Sequence, residues 1–277
     1  MTSKQFRPAI VLLCAVLAVG LLLYAMGVFS QRRNADGSMP QSDERVLTVA
    51  AAADLTSAMG EVVEAFRRQH ADIKVQVSFG SSGNFFAQLV NHAPFDMFLS
   101  ADTDYPRRLI EEKLALEESK FTYAVGRIVL WAPPNSPLDM KHANAGTLLD
   151  PALRKIAIAN PRYAPYGRAA EAALHKLGVY DHIKDKLVLG DNVAQTAQFI
   201  QSRAADIGII SRSQALALGE ADRFWEIPQS AYPRIEQGGV ILSWAKDPKA
   251  AEAFRAFVIG KDGQAILLRH GFSSPED

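Results

Sequence analysis

Four short stretches of this chain hold side chains suited to gripping a small anion: Asp54 after an alanine run, Gly80-Ser81-Ser82-Gly83-Asn84, Pro165-Tyr166-Gly167, and Asn192-Val193. Each lies where a strand-like run gives way to helical spacing. The first turn of a helix carries backbone N–H groups that no intrahelical carbonyl can reach, and the helix dipole turns its positive end the same way. Helix starts are therefore ready anion sites. Glycines 80, 83 and 167 let the backbone approach a ligand closely. The stretches contain no lysine, and Arg168 is the one cation beside any of them. Dispersed neutral donors spread a ligand's charge over many hydrogen bonds, which favours reversible capture.

Two enzymatic chemistries compete with this reading. A hydrolase could use Ser81 or Ser82 with a histidine base. The histidines stand at 70, 92, 142, 175, 182 and 270, none at a strand end near the serines. Asp96, Asp102 and Asp104 form the densest carboxylate group, but they fall at a strand end and at a helix start, where Asp is a favoured cap. No HExxH or Walker sequence occurs.

The elements that must position these residues alternate. Val46 to Ala52 is an apolar strand, followed by Leu55, Met59, Val62, Val63 and Phe66 at helical spacing. Ile73, Val75, Val77 and Phe79 alternate as a second strand, and the glycine-serine turn leads into a helix at 85–90. A third strand, 95–100, runs to Asp102 and another helix. The pattern returns with strand 156–159 and helix 168–177, strand 186–189 and a helix from 193, and strand 207–210 and a helix from 213. Alternation of this kind predicts an α/β fold with largely parallel sheets. Ligands of such sheets lie outside the carboxyl ends of the strands. The apolar runs 127–132 and 239–244 bracket the middle third. If both cross between halves, residues 46–128 with 241–277 form lobe I and 129–240 form lobe II, with a cleft between them.

The first 45 residues are of another kind. Lys4 and Arg7 precede an uncharged, mostly apolar run from Pro8 to Phe29, and Arg32 and Arg33 follow it. As a helix that run spans about 33 Å, enough to cross a bilayer core. It reads as an export signal or a membrane anchor at 1–30, followed by a polar linker at 31–45. The single cysteine, Cys14, lies inside the run, so the folded part has neither a disulfide framework nor a thiol site. Of 30 basic and 30 acidic residues, five and three fall before residue 46, which leaves the folded part at a net charge of about minus two. No basic surface of the kind that binds nucleic acid is expected, nor a global field that attracts anions. Any attraction must be local.

The stretches Val49 to Leu55, FGSSGNFFAQLVN at 79–91, APFDMFLSAD at 93–102 and IANPRYAPYGRAA at 158–170 resemble the periplasmic molybdate-binding proteins of bacterial ABC importers. The similarity runs from Val46 to Phe272. It implies a two-lobed type II periplasmic-binding-protein fold, a monomer that closes around molybdate or tungstate, and delivery to membrane permease and ATPase subunits, with no cofactor and no catalysis. Carried over, the resemblance implies oxyanion contacts from Ser82, Tyr166 and the backbone at Val193, and a first junction at Ala53 and Asp54. These would be contacts to the oxyanion's oxygens, not direct metal ligands. Asp54 departs from the pattern, because the family carries a hydroxyl or carboxamide there. An ionised carboxylate only accepts hydrogen bonds, as molybdate does. One reading has Asp54 capping the Ser57 N–H while main-chain groups meet the ligand. The other has Asp54 accepting a proton from an oxyanion such as hydrogen phosphate. A binder of phosphate, a serine-dependent periplasmic hydrolase, and a membrane-anchored sensor outside transport are the alternative functions.

Overall fold

The computed structural model describes residues 45–134, 136–219 and 223–276. The expected signal or anchor and most of the linker lie outside the described residues.

The chain opens with strand β1 (Arg45–Ala52), a short 3₁₀ turn over Ala53–Leu55, and helix α1 (Thr56–Gln69). Strand β2 (Ile73–Gly80) runs into α2 (Ser82–Val90), and β3 (Met97–Ser100) into α3 (Asp104–Glu111). Strands β4 (Phe121–Gly126) and β5 (Ile128–Trp131) follow almost without a break. Next come β6 (Ile156–Ala159), α4 (Pro165–Lys176), α5 (Tyr180–Ile183), β7 (Leu187–Gly190), α6 (Val193–Gln201), β8 (Ile207–Ser211) and α7 (Arg212–Ala217). The short β9 (Phe224–Glu226) precedes β10 (Ile235–Ile241), and α8 (Pro248–Ile259) with α9 (Lys261–Arg269) closes the fold.

Two five-stranded sheets result, ordered β2-β1-β3-β10-β4 and β7-β6-β8-β5-β9. Each has a parallel trio, β2-β1-β3 or β7-β6-β8, and then two antiparallel strands. The sheets are thus less parallel than the alternation of elements predicts. Within each trio a helix returns the chain and forces parallel pairing. The strands that carry the chain between sheets, β5 and β10, have no such helix and run against their neighbours. The chain leaves the first sheet between Gly126 and Ile128. It rejoins at Ile235, since residues 235–241 pair with β3 and β4.

The first sheet is covered on both faces. On one, Leu47, Val49 and Ala51 pack with Phe66 of α1 and with Phe254, Phe257 and Leu267 from the last two helices. On the other, Ala50 and Phe98 pack with Phe85, Phe86 and Leu89 of α2. The second sheet has its own core of Ile128, Leu130, Ile156, Ile158, Ile207 and Ile209 with the alanine face of α4. Ala52, Ala53 and Ala101, at the carboxyl ends of β1 and β3, belong to this second core. The strand ends of the first lobe therefore press directly against the second lobe, where the sequence puts its helix starts.

Phe254 is fully buried and meets Phe66 edge-on at 5.1 Å between ring centroids. Truncating it removes the main tie between the C-terminal helices and the first sheet. Phe254→Ala is expected to cost about 3–5 kcal/mol, read as a fall in the urea midpoint.

Candidate functional site

Three helices begin at one cavity, and at each start most of the first-turn donors already have partners. In α2, Ser81 caps the helix, its side chain accepting from Asn84 N–H at 3.3 Å. The Gly83 N–H donates across to the Tyr163 carbonyl of the other lobe at 2.9 Å, and Phe85 N–H to the Ser81 carbonyl. The Ser82 N–H is left. In α6, the Asn192 side chain accepts from both Ala194 and Gln195 N–H, at 2.9 and 3.0 Å. The Val193 N–H is left. In α4, Pro165 has no N–H at all, and the Gly167 and Arg168 N–H groups both reach the Ala164 carbonyl. The Tyr166 N–H is left. Ser82, Tyr166 and Val193 line the same cavity, together with Ala53, Asp54 and Ala101.

Ser82 adds a hydroxyl. It is fully buried, and its Oγ accepts from the Ala101 N–H at 2.9 Å. That bond occupies a lone pair and leaves the Ser82 O–H free to donate toward the cavity. Gly167 must be glycine, because a Cβ there would run into the backbone of Ala159 and Asn160.

Asp54 does not cap α1. Its side chain makes no bond to Ser57, because a 3₁₀ turn intervenes and α1 begins only at Thr56. The carboxylate instead turns inward. Its Oδ2 accepts from the Tyr166 hydroxyl at 2.8 Å and from Gln237 Nε2 at 2.5 Å. Its Oδ1 is buried without a hydrogen-bond partner among the described residues. Gln237 Nε2 also donates to the Tyr166 oxygen at 3.0 Å. An ionised Asp54 only accepts, so it takes the amide nitrogen of Gln237, which leaves Gln237 Oε1 to accept from the Tyr123 hydroxyl at 2.9 Å; that hydroxyl also lies 3.1 Å from the Ser100 carbonyl. Asp54, Tyr123, Tyr166 and Gln237 thus form one buried polar cluster that joins β1, β4, α4 and β10.

Burial pushes the Asp54 carboxyl up to about 6 against the help of Gln237 and Tyr166, which stabilise its charge. Burial and the adjacent Asp54 charge hold the Tyr166 phenol well above its ordinary value. The Tyr166 proton therefore stays on the phenol and points at Asp54. Tyr166, expected as a hydroxyl donor to a ligand, here gives that proton to a side chain. Its N–H is the group left facing the ligand.

Sequence reasoning missed Gln237 and Tyr123. The signal for Gln237 was a polar residue inside the apolar run of β10, just before Gly238-Gly239, where the pairing to β4 shifts register. Tyr123 carries no such signal. Arg168, the expected cation, is spent elsewhere: it pairs with Asp102 across the lobes at 2.5 Å. Both line a wider cleft of ≈ 350 Å³ beside the cavity, where Arg234 and Glu236 also pair, at 3.3 Å. The cavity itself has no lysine, arginine or histidine in its lining. The histidines lie away from Ser82: His70 stacks on Phe66, His92 lies against Trp244, His175 stacks on Tyr180, His142 and His270 meet Asp139 and Glu61, and His182 is exposed on α5. No cluster of three metal-binding side chains occurs among the described residues.

Two α/β lobes with helix starts converging on a buried cavity, crossed twice by strands, define a two-lobed solute-binding protein. A sequence profile of the bacterial extracellular solute-binding proteins matches residues 47–273, and the chain belongs to that family. It is 36% identical over 223 residues to the molybdate-binding protein ModA of Rhodobacter capsulatus, covering 80% of this chain and 86% of that one. With ModA of Azotobacter vinelandii the identity is 37% over 226 residues, 81% and 88% of the two chains. The solved structure of the Azotobacter vinelandii periplasmic molybdate-binding protein matches with a TM-score of 0.77 at 33% identity, over 83% of this chain and 99% of that one. The sulfate-binding protein SubI of Mycobacterium tuberculosis H37Rv shares the fold, with a TM-score of 0.66 at 16% identity over 84% and 88%.

A carboxyl raised from 3.8 to about 6 holds its proton more tightly in the folded chain than in the unfolded one. Its contribution to stability is therefore present at low pH and is lost as pH rises from about 4 to about 6, on the order of 3 kcal/mol. Asp54→Asn keeps an acceptor for Tyr166 and Gln237 and removes the charge. In the absence of oxyanion, urea denaturation should find the variant more stable than the parent at about pH 8, with the gap closing near pH 4.

Proposed function

We propose that the chain captures molybdate or tungstate outside the cytoplasm and presents it to the permease and ATPase subunits of an ABC importer. The observation that carries this is the convergence of three helix starts, at Ser82, Tyr166 and Val193, on one cavity with no lysine, arginine or histidine in its lining. Three N–H groups on three helix ends, with the Ser82 hydroxyl, form a donor set of fixed geometry around an acceptor-only ligand. The identity to two molybdate-binding relatives supports molybdate among the tetrahedral oxyanions. Ser82, Tyr166 and Val193 meet the oxygens of the ligand, and Asp54, bonded to the Tyr166 hydroxyl, lines the same cavity.

Capture is a hinge closure. The segments at 126–128 and 227–235 let the lobes part, and the Gly83–Tyr163 and Arg168–Asp102 contacts rejoin them over the ligand. The protein acts as a monomer and catalyses no reaction. Ser82 accepts from the Ala101 N–H, and the cavity lining holds no histidine to activate its hydroxyl. The apolar run at 8–29 exports the chain to the periplasm, by cleavage or as a retained anchor, which N-terminal sequencing of the mature protein distinguishes.

Calorimetry with molybdate, tungstate, sulfate and phosphate tests the assignment. Tight binding of the first two with weak or absent heat from the others is expected, whereas tight phosphate binding without molybdate binding overturns it. Ser82→Ala removes a hydrogen bond to a charged ligand and should weaken molybdate binding by about 10- to 100-fold. Gly83→Ala acts differently. A Cβ there would sit 2.6 Å from the Tyr163 carbonyl and 2.8 Å from the Tyr105 hydroxyl, so it obstructs closure while leaving both cores intact. About tenfold weaker binding, with a melting temperature within a few degrees of the parent, is the expected result.

A further inference from the structure

A buried carboxylate in the wall of an anion site is a contradiction unless its charge changes. Asp54 is fully buried, lines the cavity, and has one oxygen satisfied twice and the other not at all. Oδ2 accepts from Tyr166 of α4 and Gln237 of β10. Oδ1 has no partner of good hydrogen-bond geometry among the described residues, with only the backbone N–H groups of Asp54 and Leu55 near enough to the carboxyl to favour its charge. The other titratable group packed on this cluster is Tyr123 of β4, a phenol held neutral by burial. The helix starts of α2 and α6 bring only neutral groups, as do Ser213 and Gln214 of α7, which bind the Asp54 and Ala53 carbonyls. No cation in the lining compensates the carboxylate, and the nearby Arg168 is already paired with Asp102.

An ionised Asp54 would set its unpartnered oxygen against an acceptor-only dianion in a low-dielectric site, which is repulsive. A protonated Asp54 reverses this. The oxygen already holding two donors stays an acceptor, and the proton belongs on the oxygen that has none.

We infer that Asp54 is the selectivity residue of this cavity and enters oxyanion capture as a neutral carboxylic acid, its Oδ1–H donating to a ligand oxygen, so that a deprotonated dianion is taken up together with a proton from solvent. The inference rests on the oxyanion-binding reading above and deepens it. The proton is free to exchange because the carboxyl's affinity for it lies near the neutral range, at about 6. Below that pH the carboxyl already carries its proton and the site is neutral and ready. Above it, every dianion bound must first recruit a proton, and affinity falls with rising pH. An oxyanion that carries its own proton, such as hydrogen phosphate, would instead donate to ionised Asp54 and need none from solvent.

The test is calorimetry of the full chain with sodium molybdate at about pH 6.5, 7.5 and 8.5, each in two buffers of different ionisation enthalpy. The expected result is an affinity that falls about tenfold per pH unit across the upper part of the range, with net uptake approaching ~1 proton per molybdate. Asp54→Asn presents an N–H where the acid presented its O–H and keeps its oxygen toward Tyr166 and Gln237. It should abolish the slope and bind molybdate at least about tenfold more tightly than the parent at pH 8.5. The proton uptake is measured on the parent chain and does not depend on the variant folding. Molybdate binding with no pH slope and no buffer-dependent heat would overturn the inference and leave the binding reading standing. Phosphate binding without proton uptake, in the absence of molybdate binding, would overturn both. So would the absence of heat from every oxyanion.

Discussion

Backbone N–H groups at the start of a helix must find a partner once they are buried, and this structure is arranged around that requirement. Three helices, α2, α4 and α6, push their first turns into the seam between the lobes, where water is largely excluded. Each start uses a different device to reduce its orphan donors: a serine cap with a bond across the lobes, a proline that has no N–H, and an asparagine that accepts twice. What remains are first-turn donors from three helices around a common space. A buried donor without an acceptor costs free energy, so the seam favours any small species that offers several acceptors at once. Affinity for an oxyanion and closure of the lobes are the same event seen from two sides.

The second constraint is the polar cluster behind that space. Gln237 lies on the strand that returns the chain to the first sheet, Tyr123 on the strand beside it, and Tyr166 on a helix of the other lobe. The cluster spans the crossing strands and both lobes, because Tyr166 of one lobe bonds Asp54 and Gln237 of the other. The cost is a carboxyl with an unsatisfied oxygen. Had Asp54 been a small hydroxyl residue, the cluster would be neutral and the site indifferent to pH. With a carboxylate there, the electrostatics of the cavity turn on a single proton.

The two lobes also divide labour in their cores. The first sheet is sandwiched between α1 with the C-terminal helices and α2, and its large aromatics make it a rigid base. The second lobe packs alanine-rich α4 closely on its sheet, which brings the Tyr166 turn tight against the strand end at Ala159. Arg168 then reaches Asp102 over the mouth of the cleft, so that its charge is paired at the entrance and none of it enters the cavity lining.

Much of this was legible in the sequence. Alternating strand and helix patterns, with Gly, Ser, Asn and Pro at their junctions, determined the α/β class and the helix starts, because turn and cap chemistry is local. Cap and turn residues marked the four junctions, the resemblance to the molybdate-binding family singled out Ser82, Tyr166 and Val193 within them, and Asp54 stood out as the departure from that family's pattern. Only the tertiary structure decided what Asp54 does. Its partners lie 112 and 183 positions away along the chain, and no local pattern links a strand-end aspartate to a tyrosine and a glutamine so distant. The sheet order was equally out of reach, since the pairing of β10 against β3 is set by where the chain crosses between lobes. Local sequence fixes how a helix begins; which beginnings meet, and what charge is buried among them, is decided by non-local packing.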